Sequence, residues 1–193
     1  MDPKKLRKAY IQCVPDLNKA MEHVKTQLAD LPPSEFLLET NMKPYTSIKR
    51  KMEENNVKDP KELSDLARGR LYFSDGFNHE DTLNILDQLF GEQIKNVDHK
   101  TSRAKEHGLE YSGVTHVDMD INGAKFELQV LPLEFKPYKE FLHQIYEKFR
   151  NPKTSSKLSD RQKEFLRKVH NDSYKKLDDQ AKKSRSSKFS DDD

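Results

Sequence analysis

The chain has 193 residues, of which 33% are hydrophobic and 35% charged, with a formal net charge of +2 and a single cysteine, Cys13. That length supports one domain with a sizeable core, but the lean apolar fraction assigns part of it to arm or tail. One cysteine excludes an intramolecular disulfide framework and a cysteine-based metal cluster, and the charge balance makes no general polycation for nucleic acid.

In chain order, residues 1–33 predict an N-terminal helical arm. Leu6, Tyr10, Cys13, Leu17, Met21, Val24 and Leu28 recur at steps of three and four, the spacing of one helical face. Pro15 is expected to kink or split this helix, and Pro32-Pro33 to end it. Residues 34–150 mix helix and strand signals. Pro44 to Asn56, with Ile48 and Met52 four apart, predicts a short helix. Leu71-Tyr72-Phe73 running into Ser74-Asp75-Gly76 predicts a strand and a turn. Asp81 to Phe90 carries Leu83, Leu86, Leu89 and Phe90 on one side and meets Gly91, which predicts a helix and its stop. Val114, Val117, Met119 and Ile121 precede Asn122-Gly123, and Phe126, Leu128 and Val130 alternate after it, which predicts a hairpin. Phe141, Ile145, Tyr146 and Phe149 mark a further helix. Residues 151–181 predict a C-terminal helix capped at Ser159-Asp160, with an apolar side of Phe165, Leu166, Val169 and Tyr174. Residues 182–193 have almost no apolar content and read as a disordered polar tail.

The fold class that follows is α+β, a mixed β-sheet flanked by helices, with added N- and C-terminal helices. No apolar run reaches the roughly 18 residues of a membrane span, and no apolar segment follows the basic start as in a signal peptide. A cytoplasmic protein is expected, or one delivered into another cell with its N-terminus uncleaved.

Three groups of residues suggest chemistry. Glu127 and Gln129 alternate with Phe126, Leu128 and Val130, so they form a polar row on one face of a strand otherwise built for burial. A buried carboxylate is costly unless paired or bound to metal. A solvent-facing strand surface is the plainer account of the row. Asp65 precedes a strand that starts near Leu66, with Arg68 and Arg70 following. These residues make either a salt-bridged corner or the second carboxylate of a pair. Such a pair suits Mg²⁺ on a triphosphate, because Mg²⁺ takes one or two protein carboxylates plus phosphate oxygens. Two carboxylates converging on one cavity repel, so Asp65→Asn is expected to leave stability unchanged or raised. Lys43, Ser47 and Lys51 are spaced by four near a helix start, which suits a phosphate chain; the plainer account is a solvated basic helix face. Lys100, Arg103 and Lys105, with Tyr111 and His116, combine cations and rings as single-strand binders do, or form an ordinary surface loop.

Lys43-x-x-x-Ser47-Ile48-x-x-Lys51-Met52, then Asp65-x-x-x-x-Arg70, then Glu127-Leu128-Gln129-Val130 after a hairpin stand in a recognisable order. Roughly residues 40–150 resemble the synthetase domain of RelA/SpoT enzymes and their small toxin relatives. The segment with His143, Tyr146 and Arg150 resembles the helix that follows in the toxin-like members. The resemblance implies a nucleotidyltransferase-like core over residues 34–150 and ATP- and Mg²⁺-dependent transfer of a pyrophosphoryl group, a pyrophosphokinase activity. It implies Asp65 and Glu127 as the Mg²⁺ carboxylates, Lys43, Ser47 and Lys51 on the ATP phosphates, and Arg70 near the transferred group. The acceptor motif is present only loosely, and the resemblance implies acceptor contacts from Lys105, Tyr111, His116 and Gln129. Asn41, Leu131 and Gly113 stand where the family carries arginines. The acceptor stays open between a nucleotide such as GDP or GTP and the 3′ end of tRNA. The small single-domain form fits a toxin or effector, with the terminal helices available to a protein partner. The alternative is a catalytically lapsed module that binds a nucleotide or a partner and keeps the fold.

Overall fold

A computed structural model describes residues 3–100, 103–104, 108–111 and 113–186. Helix α1 (Pro3–Leu28) runs on through Pro15 without splitting. Its apolar stripe continues on both sides of the proline: Leu6, Cys13, Leu17, Ala20, Val24 and Leu28 are all buried. Packing of that stripe outweighs the single ladder hydrogen bond a proline removes.

Strand β1 (Phe36–Met42) leads into α2 (Tyr45–Glu54), and β2 (Ala67–Phe73) follows. Helix α3 (His79–Phe90) is capped by Asn78, whose side chain accepts from the Asp81 N–H, and ends at Gly91 with φ of 47°. Strands β3 (Ile94–Lys100), β4 (Arg103–Ala104), β5 (Glu110–Tyr111), β6 (Val114–Ile121) and β7 (Ala124–Pro132) come next. The chain closes with α4 (Lys136–Arg150), the short α5 (Pro152–Ser155) and α6 (Asp160–Ser186). Helix α6 continues beyond residue 181, and residues 187–193 of the expected tail lie outside the described residues. Among the described residues no helix is long and apolar enough to cross a membrane.

The main sheet is mixed, in the order β1-β2-β7-β6-β3, with β2 and β7 parallel and the other neighbours antiparallel. Asn122 and Gly123 turn the β6–β7 hairpin with φ of 54° and 84°, the double positive φ of a type I′ turn. The two edge strands, β1 and β3, carry no clean alternation in sequence. Phe36-Leu37-Leu38-Glu39 is half-buried on both sides, and β3 is mostly polar.

Strand alternation divides the sheet into two faces. On one, Ala67, Leu71 and Phe73 of β2, Phe126, Leu128 and Val130 of β7, and Val117, Met119 and Ile121 of β6 meet α1, α2 and α3 in the larger core. On the other, Tyr72, Leu131 and Val114 join Leu142, Ile145 and Phe149 of α4 and Tyr174 and Leu177 of α6 in a smaller one. Two helix faces differ from their sequence expectation. Phe141 and Phe165 are 49% and 65% exposed, while Leu142 and Leu177 take the inward positions. The rest of each expected face packs inward: Ile145 and Phe149 of α4 and Tyr174 of α6 are buried, and Tyr146, Leu166 and Val169 pack against the smaller core.

Gly113 couples α6 to the sheet. Its φ is +70°, and a Cβ there would lie 2.8 Å from Leu177 Cγ and 2.9 Å from the Asp178 nitrogen. Gly113→Ala is therefore expected to cost roughly 2–4 kcal/mol, from left-handed strain plus overpacking. Gly123 also has positive φ but has nothing within 4 Å, so Gly123→Ala should cost only about 1 kcal/mol. Thermal melting of the two variants side by side checks the difference.

Candidate active site

The polar face of the sheet is produced by the same alternation that fills the core. Arg68 and Arg70 of β2 are in register with Glu127 and Gln129 of β7, and Gln129 is in register with His116 of β6. Helices α2, α4 and α6 rise around this row and leave a cleft of about 440 Å³, within the usual range for a small-molecule site. Lys43, Ser47, Lys51, Asp65, Arg70, His116, Glu127 and Gln129 all line it. Lys105 lies outside the described residues, and for Lys100, Arg103 and Tyr111 only the backbone is described.

Asp65 sits in the turn before β2, and Lys43 between β1 and α2. The Lys43 N–H donates to the Leu66 carbonyl at 2.8 Å, which ties the two turns together. The Lys43 and Lys51 ammoniums both reach Asp65 Oδ2, at 2.5 Å and 2.8 Å. Burial alone would push the Asp65 carboxyl up, but the two lysines hold it below its ordinary value. Burial draws the Lys43 ammonium down, and its Asp65 partner only partly offsets this. The second oxygen, Oδ1, is buried without a hydrogen-bond partner among the described residues.

Glu127 is held from two sides. His116 Nδ1 lies 3.3 Å from Oε2, and Gln129 Nε2 donates to Oε1 at 3.1 Å. Burial would raise this carboxyl, yet chiefly the His116 contact keeps it low, while the Asp65 charge works in the opposite direction. His116 and Gln129 thus orient a carboxylate, whatever else they touch.

The two carboxylates are close enough to feel each other, and Asp65 Oδ1 is buried without a hydrogen-bond partner among the described residues. Among the described residues no group of three or more His, Cys, Asp or Glu gathers as a metal cage. That donor set fits Mg²⁺, which keeps most of its shell for water and phosphate oxygens.

The three missing arginines each have a local cause. Asn41 accepts a hydrogen bond from Arg68 Nε at 2.9 Å, so the neighbouring strand delivers a guanidinium to that corner. Leu131 is fully buried in the smaller core. Gly113 is covered by α6. At the cleft rim, Arg150 contacts Glu54 at 2.7 Å and stands over the Tyr146 ring at 5.8 Å, and Arg50 reaches Glu147 at 3.8 Å. Burial lowers the His143 imidazole in this wall. Sequence reasoning missed Lys139, His170 and Tyr174, which also line the cleft. Tyr174 lies on the apolar side that the sequence predicts and reads there as an ordinary core aromatic, and His170 beside that stripe carries no local signal of a site.

The clamp reverses the expected sign for Asp65→Asn. Loss of the carboxylate relieves little repulsion and leaves two ammoniums facing each other, at a cost on the order of 2 kcal/mol. The Asp65 pKa is depressed from 3.8, so its stabilisation is present above that value and is lost as pH falls below about 4. Denaturant unfolding of wild type and Asp65→Asn should differ most near neutral pH and converge in acid.

By sequence, no family model and no curated protein matches the chain. By structure, it superposes on small alarmone synthetase 1 from Bacillus subtilis bound to its product pppGpp, with TM-score 0.57, 14% identity and 98% coverage of both chains. A GTP pyrophosphokinase family protein from Streptococcus pneumoniae gives TM-score 0.54 at 19% identity, over 95% of this chain and 93% of that one. The Type VI effector Tas1, solved with its immunity protein, gives 0.53 at 18% identity, over 91% and 99%. The chain has the mixed α+β fold of the small alarmone synthetases, the fold its motifs resemble.

Proposed function

We propose that the chain is a pyrophosphokinase that transfers the β,γ-pyrophosphoryl group of ATP to a ribose 3′-hydroxyl. The observation that carries this reading is the shared grip of Lys43 and Lys51 on Asp65 in a cleft that also holds Ser47, Arg70 and Glu127. A triphosphate entering the cleft offers the two ammoniums new anionic partners. Lys43 and Lys51 exchange Asp65 for phosphate oxygens, and the Ser47 hydroxyl donates beside them. Asp65 and Glu127 would together hold Mg²⁺, whose contribution when bound is to neutralise charge on the triphosphate. His116 and Gln129 keep Glu127 in place for this. The acceptor oxygen forms a bond to the β-phosphorus as the bond from that phosphorus to the α-bridging oxygen breaks. AMP leaves with the electron pair, and the proton of the hydroxyl passes to solvent. Arg70 faces the transferred group and offsets its charge.

The likeness to the Type VI effector favours an effector role, with action in the cytoplasm of a target cell. The acceptor is a guanine nucleotide or the 3′ end of tRNA. Incubation with γ-labelled ATP, Mg²⁺ and GDP, GTP or deacylated tRNA should release AMP and label one acceptor. Lys51→Ala should weaken ATP binding by about 1.5–3 kcal/mol in a titration. Glu127→Gln should abolish label transfer while ATP still binds. Tight ATP binding with no AMP from any acceptor would favour the nucleotide-binding module instead.

A further inference from the structure

The cleft has two sides fixed by strand order. Lys43, Ser47 and Lys51 stand at the β1 side. His116 stands on β6, which lies beyond β2 and β7 in the sheet order. Leu109, Glu110, His170 and Tyr174 also line the cleft. The last two come from α6, which lies outside the segment carrying the motifs.

One stripe of α6 follows the 108–113 segment. Arg167, Asn171, Tyr174 and Asp178 recur at steps of three and four. Arg167 Cδ and Nε pass 3.6 Å from the position a Cβ would take on Gly108, and the Leu177–Asp178 backbone rests on Gly113. Between them, the Asn171 carboxamide makes two bonds to the segment. The Glu110 N–H donates to Asn171 Oδ1 at 2.8 Å, and Asn171 Nδ2 donates to the Gly108 carbonyl at 3.1 Å. The side-chain amide thus satisfies backbone groups at the start of this segment, next to the β4–β5 pairing. His170, Tyr174 and Asp178 on the same stripe are 4%, 4% and 8% exposed. A helix that only sealed the core would carry apolar residues at these positions, because burying polar ones is costly. Tyr174 packs against His170 at 4.9 Å and Phe135 at 5.5 Å, which fixes its ring in the wall.

We propose that α6 is the acceptor wall of the cleft, and that Asn171 is a positioning residue that sets the 108–111 segment so an acceptor nucleotide seats against His170 and Tyr174. This rests on the pyrophosphoryl-transfer reading above. The ligand chemistry is a nucleotide presenting a free ribose 3′-hydroxyl, and both a mononucleotide and an RNA end supply it.

Asn171→Leu keeps the volume and removes both bonds; Asn171 is on a helix and only half-buried, so the variant is expected to fold. Tyr174→Phe is the second variant, removing only the phenol. Equilibrium titrations of each with ATP and Mg²⁺, with GTP, and with deacylated tRNA form separate arms. Asn171→Leu should bind one acceptor probe at least tenfold more weakly, and raise its KM in label transfer, while ATP affinity moves less than twofold. Tyr174→Phe should weaken the same probe about threefold. Loss in the GTP arm assigns a mononucleotide, and loss in the tRNA arm assigns an RNA end. Unchanged acceptor affinity in both variants overturns the proposal, as does equal loss for ATP and acceptor, which would make α6 a general support. Wild type that binds ATP but neither acceptor probe also overturns it and leaves the ATP side of the functional reading standing. Wild type that binds an acceptor but no ATP sinks the pyrophosphokinase reading instead.

Discussion

One carboxylate oxygen shared by two ammonium groups sets the terms for the rest of this site. Asp65 Oδ2 holds Lys43 and Lys51 together, and the three side chains come from a strand end, a helix and a turn. Each charge alone would be expensive at that depth, and the pairing makes the set tolerable. The two lysines would otherwise repel across a few ångströms. The clamp therefore keeps the cations of the cleft gathered and pre-aligned before any ligand arrives. It also leaves Oδ1 bare, because a carboxylate has two oxygens and both lysines use the same one. A site assembled this way gives ligand anions an exchange of partners rather than a fresh desolvation of two lysines. In the proposed reaction, binding of phosphate oxygens by the lysines and of a cation at Asp65 would be coupled events, each releasing what the other needs.

The second constraint is the two-residue period of the strands. The same alternation that sends Phe126, Leu128 and Val130 into the larger core sends Glu127 and Gln129 to the opposite face. A one-residue slip of β7 would bury Glu127 among leucines and expose the core set, so the chemistry and the packing enforce one register. The tight Asn122-Gly123 turn pins that register at the hairpin end. This explains why a polar row can persist on a sheet face with a hydrophobic cluster at one end. The row is anchored by residues that cannot shift without unpacking the other side.

The central strands and the phosphate-side residues were legible because their signals are local. Lys43, Ser47 and Lys51 lie within nine positions, and the hairpin announces itself through Asn122-Gly123 and alternating neighbours. Asp65 and Glu127 are far apart in sequence, and only the parallel pairing of β2 with β7 joins them. Edge strands β1 and β3 were not legible, since an edge exposes one side and tolerates polar residues such as Asn96, Asp98 and His99. The faces of α4 and α6 were misjudged at Phe141 and Phe165, because periodicity defines a stripe but not which of two adjacent stripes faces inward. The clamp itself was also invisible: spacing suggested two repelling carboxylates, whereas the lysines reach Asp65 first.

The three positions that lack a family arginine show how a motif can loosen without the site coming apart. At Asn41 the guanidinium is supplied from across the strand pair by Arg68, so the charge remains while its backbone origin moves by one strand. At Leu131 the side chain serves the smaller core, which α4 and α6 complete. At Gly113 the space a long cationic side chain would sweep is filled by the backbone of α6, and any Cβ would strike it. The last two changes thus share a physical cause. A long C-terminal helix packed onto that end of the sheet requires an apolar residue beneath it and a glycine where it crosses. The same helix brings His170 and Tyr174 to the cleft. On the proposal that this helix forms the acceptor wall, polar aromatic and amide groups in place of cations trade affinity for phosphate against shape and directed hydrogen bonds, which discriminate more sharply between nucleotides of similar charge.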